Sequence, residues 1–157
     1  MSEKINIKNK KAFHDFFIEE KFDAGIVLYG TEIKAIRAGK AGLTDSYCVL
    51  LPMPGKPERK ELWIKMNISE YSHGNLNNHE PRRDRKLLLK AREIKKLERK
   101  TQGKGVSIIP LRVYINEKGL AKVEISIATG KKQFDKRETL KQSDSKRELD
   151  RVMKKNV

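Results

Sequence analysis

Residues 24–51, AGIVLYGTEIKAIRAGKAGLTDSYCVLL, read as strand, short helix, strand. Ile26, Val27, Leu28 and Tyr29 form a compact β-branched and aromatic run, and Gly30 punctuates its end. Thr31 stands where a cap is needed, ahead of Ile33 and Ile36, which lie three apart on one helical face. Glu32, Lys34 and Arg37 fall off that face, and Gly39 suits a left-handed helix stop. Residues 46–51 then make a second apolar strand. A short charged helix held between two buried strands presents polar groups on a rigid base, which is the plan of a recognition surface.

Working outward, 157 residues suffice for one domain with a modest core. Hydrophobic residues are only 37% and charged residues 36%, so part of the chain is expected to stay outside that core. The formal net charge of +15 calls for a polyanionic partner, either nucleic acid or an anionic membrane surface. No apolar run approaches the length of a membrane span, and no signal-peptide core follows Met1. The single Cys48 cannot form an internal disulfide, which fits a reducing cytoplasm.

The charge is unevenly placed. Residues 82–100 hold 10 Lys/Arg against 3 Asp/Glu, and residues 131–157 hold 10 against 5, so these segments carry +7 and +5 of the total. The remainder is nearly neutral, as a folded scaffold should be.

Along the chain, residues 1–8 read as a loose arm. Residues 12–22 fit two patterns: Phe13, Phe16 and Phe17 suit a helical face, while Phe16, Ile18 and Phe22 suit one face of a strand. After Leu51, the Pro/Gly-rich PMPGKPERK leads to a strand at residues 61–66, which together predict a hairpin with a longer loop. Pro81 can open a basic amphipathic helix, with Leu87, Ala91, Ile94 and Leu97 on one face and Gly103 and Gly105 at its end. Arg82, Arg83, Arg85 and Lys86 crowd its start and suit a phosphate backbone. Two further strands, residues 106–115 and 121–128, are joined by the turn Asn116-Glu117-Lys118-Gly119. At least five strands with few helices are consistent with a small antiparallel barrel or a sandwich.

Candidates for chemistry are thin. His14-Asp15 lacks an accompanying nucleophile motif, and His73 and His79 lie six apart with no Cys or carboxylate cluster. Cys48 in an apolar strand reads as core, and no GxxxxGK[ST] phosphate loop is present. No cofactor or metal is indicated, so the chain reads as a binding factor rather than an enzyme.

Four blocks in order, NKKAFHDFFIEEKFDAGIVL, GTEIKAIRAGKAGLTDSY, EPRRDRKLLLKAREI and GKKQFDKRETLK, make the chain resemble the SmpB family, the bacterial SsrA-binding proteins. The resemblance implies a mainly β, OB-fold-like antiparallel barrel with two to three flanking helices over residues 1–130, and a basic tail over 131–157. It resolves residues 12–22 toward an extended strand. It also implies binding to the tRNA-like domain of transfer-messenger RNA and its delivery to stalled ribosomes for trans-translation, with elongation factor Tu in the delivery complex. The family's RNA-contacting positions match Glu32, Lys34, Arg37 and Lys40, then Leu88, and also Asn9 and His14. Lys90 stands where the family often has Asn or His, exchanging a base or sugar contact for a phosphate contact. On this reading Glu32 is a surface acceptor for base amino or sugar hydroxyl groups, and its removal would leave the melting temperature nearly unchanged.

The tail contains no Gly or Pro, yet Leu140 and Leu149 lie nine apart, out of phase on a helix, and only Leu149, Val152 and Met153 share a face. Such a segment is expected to be disordered when free and helical when bound. The resemblance places it in the empty messenger channel at the small-subunit decoding site. Asp135, Lys136 and Arg137 match the family's tail motif, and Phe134 replaces a frequent His. Lys131, Lys132, Lys141, Arg147 and Arg151 would grip ribosomal RNA, and Val152 and Met153 would give an apolar anchor. Two other classes fit the composition: a general OB-fold RNA-binding or ribosomal protein, which would lack the GTEIKAIRAGKA block and DKR tail together, and a basic membrane-surface protein, which liposome flotation would reveal.

Overall fold

Alternation of buried and exposed residues organises the whole molecule, which a computed structural model describes over residues 5–71 and 78–131. The elements run β1 (Asn6–Lys8), α1 (Lys10–Asp15), β2 (Phe16–Ile26), α2 (Gly30–Arg37), β3 (Ala41–Met53), β4 (Lys56–Ile68), β5 (Asp84–Leu88), α3 (Ala91–Lys100), β6 (Val106–Ile115) and β7 (Ala121–Gly130). The seven strands form one antiparallel sheet in the order β1-β6-β7-β2-β5-β4-β3. Its outer strand β3 curls back against β1 and β6, so the sheet is nearly closed into a barrel. The expected mainly β barrel with three helices is what the described residues form.

The interior follows the period of two that a pleated strand imposes. Leu62, Ile64, Met66 and Ile68 point inward from β4, and Val123, Ile125 and Ile127 from β7. The helices cover the barrel at two places along β4. Ala35 and Ile36 of α2 enter the core beside Leu43 and Ile68, whereas Ala91 and Ile94 of α3 lie against Lys60 and Glu61, near the start of β4, with Leu97 fully buried.

Several expectations from the sequence change. The basic helix does not begin after Pro81: residues 84–88 form β5, and the helix starts at Ala91. The spacing of Leu87, Ala91, Ile94 and Leu97 fits a helix, but Arg85 and Leu87 are both buried at a spacing of two. β2 and β4 present a gap that only a strand can bridge, and β5 fills it, with Leu87 opposite both Ile26 and Leu62. Residues 6–8 are no loose arm, because Ile7 pairs with Val113, and Ile5 and Ile7 pack on the core. Both readings of residues 12–22 apply in turn: the helix holds to Asp15 and the strand begins at Phe16. The β3–β4 hairpin turns tightly at Pro54-Gly55, where Gly55 takes a φ of +80°. The strand before α2 stops at Ile26, and Tyr29 rather than Thr31 is the helix cap.

Cys48 is partly buried against the core, and burial pushes its thiol pKa up, as suits a packing residue. The expectations for Lys132 and the rest of the tail, and for His73, lie outside the described residues.

Leu97→Ala removes the only fully buried α3 side chain among the described residues and should cost about 2–5 kcal/mol. Urea unfolding should show a lowered midpoint with an unchanged slope.

Candidate nucleic-acid interface

The α2 region is built on a side chain that its own helix turns inward. Glu32, in the first turn, reaches back so that Oε1 accepts the Tyr29 N–H at 2.7 Å, satisfying a backbone donor at the helix start. The same Oε1 accepts from Arg83 Nη2 at 2.6 Å, and Oε2 accepts from Arg85 Nε. Glu32 is 0% exposed. The expected surface role is therefore corrected: neither oxygen is open to a partner. Arg85, also expected at the surface, is equally buried.

Arg85 has five N–H donors and uses them all. Beyond its Nε, Nη1 donates to the carbonyls of Met66 and Arg83 at 2.9 Å each. Nη2 donates to Glu80 at 3.3 Å and Pro81 at 3.2 Å. One guanidinium thus ties the end of β4, the segment before β5 and the α2 carboxylate together. Burial alone would raise the Glu32 pKa, but hydrogen bonds from Arg83, the Tyr29 amide and Arg85 outweigh it and hold the carboxyl below its ordinary value.

Arg83 links this interior to the surface. Its guanidinium lies 4.0 Å from the centroid of the exposed Tyr29 ring. Nη1 donates to Asp84 O at 3.2 Å, and Nε is buried with no partner among the described residues. His79 locks the far side of α2: Nε2 lies 2.8 Å from Ile68 O and Nδ1 2.9 Å from Thr31 Oγ1. A carbonyl only accepts, so Nε2 carries a proton. Both nitrogens are spent, which makes this histidine structural.

Around that scaffold the cations are exposed. Lys34, Arg37 and Lys40 project from α2 and its exit; Lys34 Nζ lies 5.7 Å from the Tyr71 ring centroid, and Arg37 Nη2 donates to Gly119 O at 3.1 Å. Arg82 and Lys90 are exposed, whereas Lys86 is half-buried and bonded to Glu61 at 3.0 Å. Leu88 is 52% exposed and sits beside Gly25 across the β2–β5 pairing. Asn9 and His14 belong to α1. Asn9 is buried, accepts the Ala12 N–H at 3.3 Å and donates to Pro110 O at 2.9 Å, so its position is that of a cap. His14 is exposed, with Nδ1 2.9 Å from Asp15 Oδ1. Lys131, the last described residue, donates to Phe13 O at 3.3 Å and lies over the Phe17 ring.

Tyr29, Tyr71 and His79 were not legible as parts of this region. Glu32 was: a carboxylate three residues after a cap position is the pattern that folds inward onto the helix start.

A nearly closed antiparallel barrel carrying exposed cations and cation-covered tyrosines around one short helix defines a class, the β-barrel nucleic-acid-binding proteins. Among the described residues no cluster of metal-ligating side chains occurs, and no helix is long and apolar enough to cross a membrane. Within that class, the chain belongs to the SmpB protein family, whose family model matches residues 6–155. It is 52% identical over 151 residues to the SsrA-binding protein of Phocaeicola vulgatus, covering 96% of each chain. To that of Parabacteroides distasonis it is 50% identical over 155 residues, covering 98% of this chain and 97% of the relative. A solved structure described as "tmRNA-SmpB: a journey to the center of the bacterial ribosome" contains a chain 39% identical, with a TM-score of 0.65, covering 81% of this chain and 85% of that one.

Glu32→Ala should strand two arginines and cost about 3–5 kcal/mol, seen as a lowered melting temperature. The pH dependence follows from the depressed carboxyl. In the unfolded chain Glu32 titrates near its ordinary 4.5, so the pair's stabilisation is full above that pH. It is lost as pH falls through the lower folded value. Urea midpoints should therefore drop between wild type and Glu32→Gln most at neutral pH, with the difference shrinking as the solution is acidified below 4.5.

Proposed function

We propose that this chain binds the tRNA-like domain of transfer-messenger RNA and carries it to stalled ribosomes for trans-translation, as a binding factor and not an enzyme. The observation that supports this most is the family match across nearly the whole chain, joined to exposed cations on the rigid α2 base. Lys34, Arg37, Lys40 and Arg82 meet phosphates, Arg83 and Tyr29 offer a stacked cation and ring, and Lys90 adds a further phosphate contact. Glu32 and Arg85 act on this interface by positioning: they fix α2 against residues 80–85, so the cations above keep one spacing. Asn9 holds α1, from which His14 projects.

In this reading the chain divides its labour. Residues 1–130 hold the RNA, and residues 131–157 enter the vacant messenger channel toward the decoding site. There Asp135, Lys136 and Arg137 carry the family's tail motif, and Val152 and Met153 supply an apolar end. The work is cytoplasmic, and elongation factor Tu accompanies the complex.

Sequencing the RNA that co-purifies with the chain should return transfer-messenger RNA; a mixture of ribosomal and transfer RNAs would favour the general OB-fold reading. Neutralising Lys34, Arg37, Lys40 and Arg82 should reduce the slope of log K against log salt by roughly 0.7 to 0.9 per lost contact. Deleting residues 131–157 should leave that RNA affinity intact. It should abolish peptidyl transfer to alanyl transfer-messenger RNA on ribosomes with truncated messages, and full activity of the truncated chain would refute the division.

A further inference from the structure

On the outer face of the barrel, one row of the sheet lacks its middle side chain. Gly25 of β2 pairs with Leu88 of β5 on one side and with Lys122 of β7 on the other. Adjacent strands put directly opposed residues on the same face. The row therefore reads leucine, nothing, lysine: a notch one side chain deep. A Cβ placed on Gly25 would come within 3.3 Å of Leu88 Cβ, closer than ordinary van der Waals contact.

The notch has a roof. Leu120, in the β6–β7 turn, is 58% exposed and lines the same groove as Leu88 and Gly25. Its exposure is held in place rather than left to chance. Asn116 N donates to Leu120 O at 2.9 Å, and Leu120 N donates to Asn116 Oδ1 at 2.9 Å. Arg37, reaching from α2, fastens the neighbouring Gly119 carbonyl. A leucine kept in water by a pinned turn has an apolar partner to meet.

The rim states which partner. Arg37 and Lys122 line the groove and no carboxylate does; Arg37 has only the one carbonyl among its printed partners, while Lys122 Nζ is 3.9 Å from Asp23. Ile33 and Leu28 complete the wall. A flat apolar ligand bearing negative charge on its flanks matches this arrangement, and an unpaired nucleobase with its two phosphates is such a ligand. We infer that the notch between Leu88 and Lys122, roofed by Leu120, seats one unpaired nucleobase of the bound RNA. The inference rests on the proposed RNA-binding function and deepens it, by assigning Leu120 and Gly25 to base recognition beside the phosphate-binding cations of α2.

Apolar seating and phosphate contacts separate by salt dependence. Phosphate contacts set the slope of log K against log salt, and a seated base shifts K at every salt concentration without changing the slope. The test uses the full chain and the tRNA-like domain of transfer-messenger RNA, with 2-aminopurine placed in turn at its unpaired positions. Leu120→Ser, a change at an exposed turn, should keep the melting temperature and weaken binding roughly tenfold at each salt concentration, the slope unaltered. Gly25→Ala, with its melting temperature checked alongside, should act in the same direction by filling the notch. One 2-aminopurine position should change fluorescence on binding to the wild type and lose that change with Leu120→Ser. Unchanged affinity, a changed slope, or no position responding overturns the seat while leaving the phosphate interface standing. Failure of the wild type to bind this RNA overturns both. Competition by an acidic peptide that abolishes the Leu120-dependent part of binding would assign the groove to a protein instead.

Discussion

A buried carboxylate shared by two arginines sets the geometry on which the recognition surface depends. Glu32, Arg83 and Arg85 join three pieces of chain that are far apart in sequence: the first turn of α2, the end of β4 through the Met66 carbonyl, and residues 80–85. Desolvating such charges is expensive, and the attraction between them repays the cost only when every donor and acceptor is used. Arg85 meets that condition with all five N–H groups. The arrangement adds little net stability over an apolar substitute, yet no other packing of these segments would satisfy the same charges. Its physical role is to select one arrangement.

That selection has consequences for the surface. An RNA backbone is read through spacing, and cations on long side chains discriminate only if their bases stay fixed. α2 is a helix of 8 residues, too short to be stable alone. It is stapled at its start by Glu32, on its flank by His79 bonded to Thr31 and Ile68, and through Arg37 to the β6–β7 turn. Lys34, Arg37 and Lys40 thereby inherit the rigidity of the barrel. Arg83 passes the constraint outward to Tyr29, which is 56% exposed and covered by a guanidinium held at its other end by buried Glu32.

Relatives at about half identity share this plan over almost their full length, which places the chain within one family and not merely one fold. Position 90 shows where such kinship stops being informative. Lys90 caps α3 with its backbone N–H bonded to Glu93 at 3.0 Å, a role open to almost any residue, while its side chain is free to differ.

Much of this was written in the linear chain. The strand–helix–strand at residues 24–51, the alternation in β4 and β7, the turn at residues 116–119 and the segregation of charge are local patterns, and local patterns survive reading one residue at a time. Gly39 takes the left-handed φ of +72° that its place after α2 required. What the chain could not show was which charges are inside. Glu32 and Arg85 look like surface residues because burial of a charge depends on a partner, and theirs stand 53 residues apart in sequence. For the same reason residues 84–88 read as helix: their own spacing permitted it, and only the gap between β2 and β4 demanded a strand. Sequence determined the elements and the kind of partner; tertiary structure decided which cations remain free to meet it, because pairing across the fold is a property of distance in space.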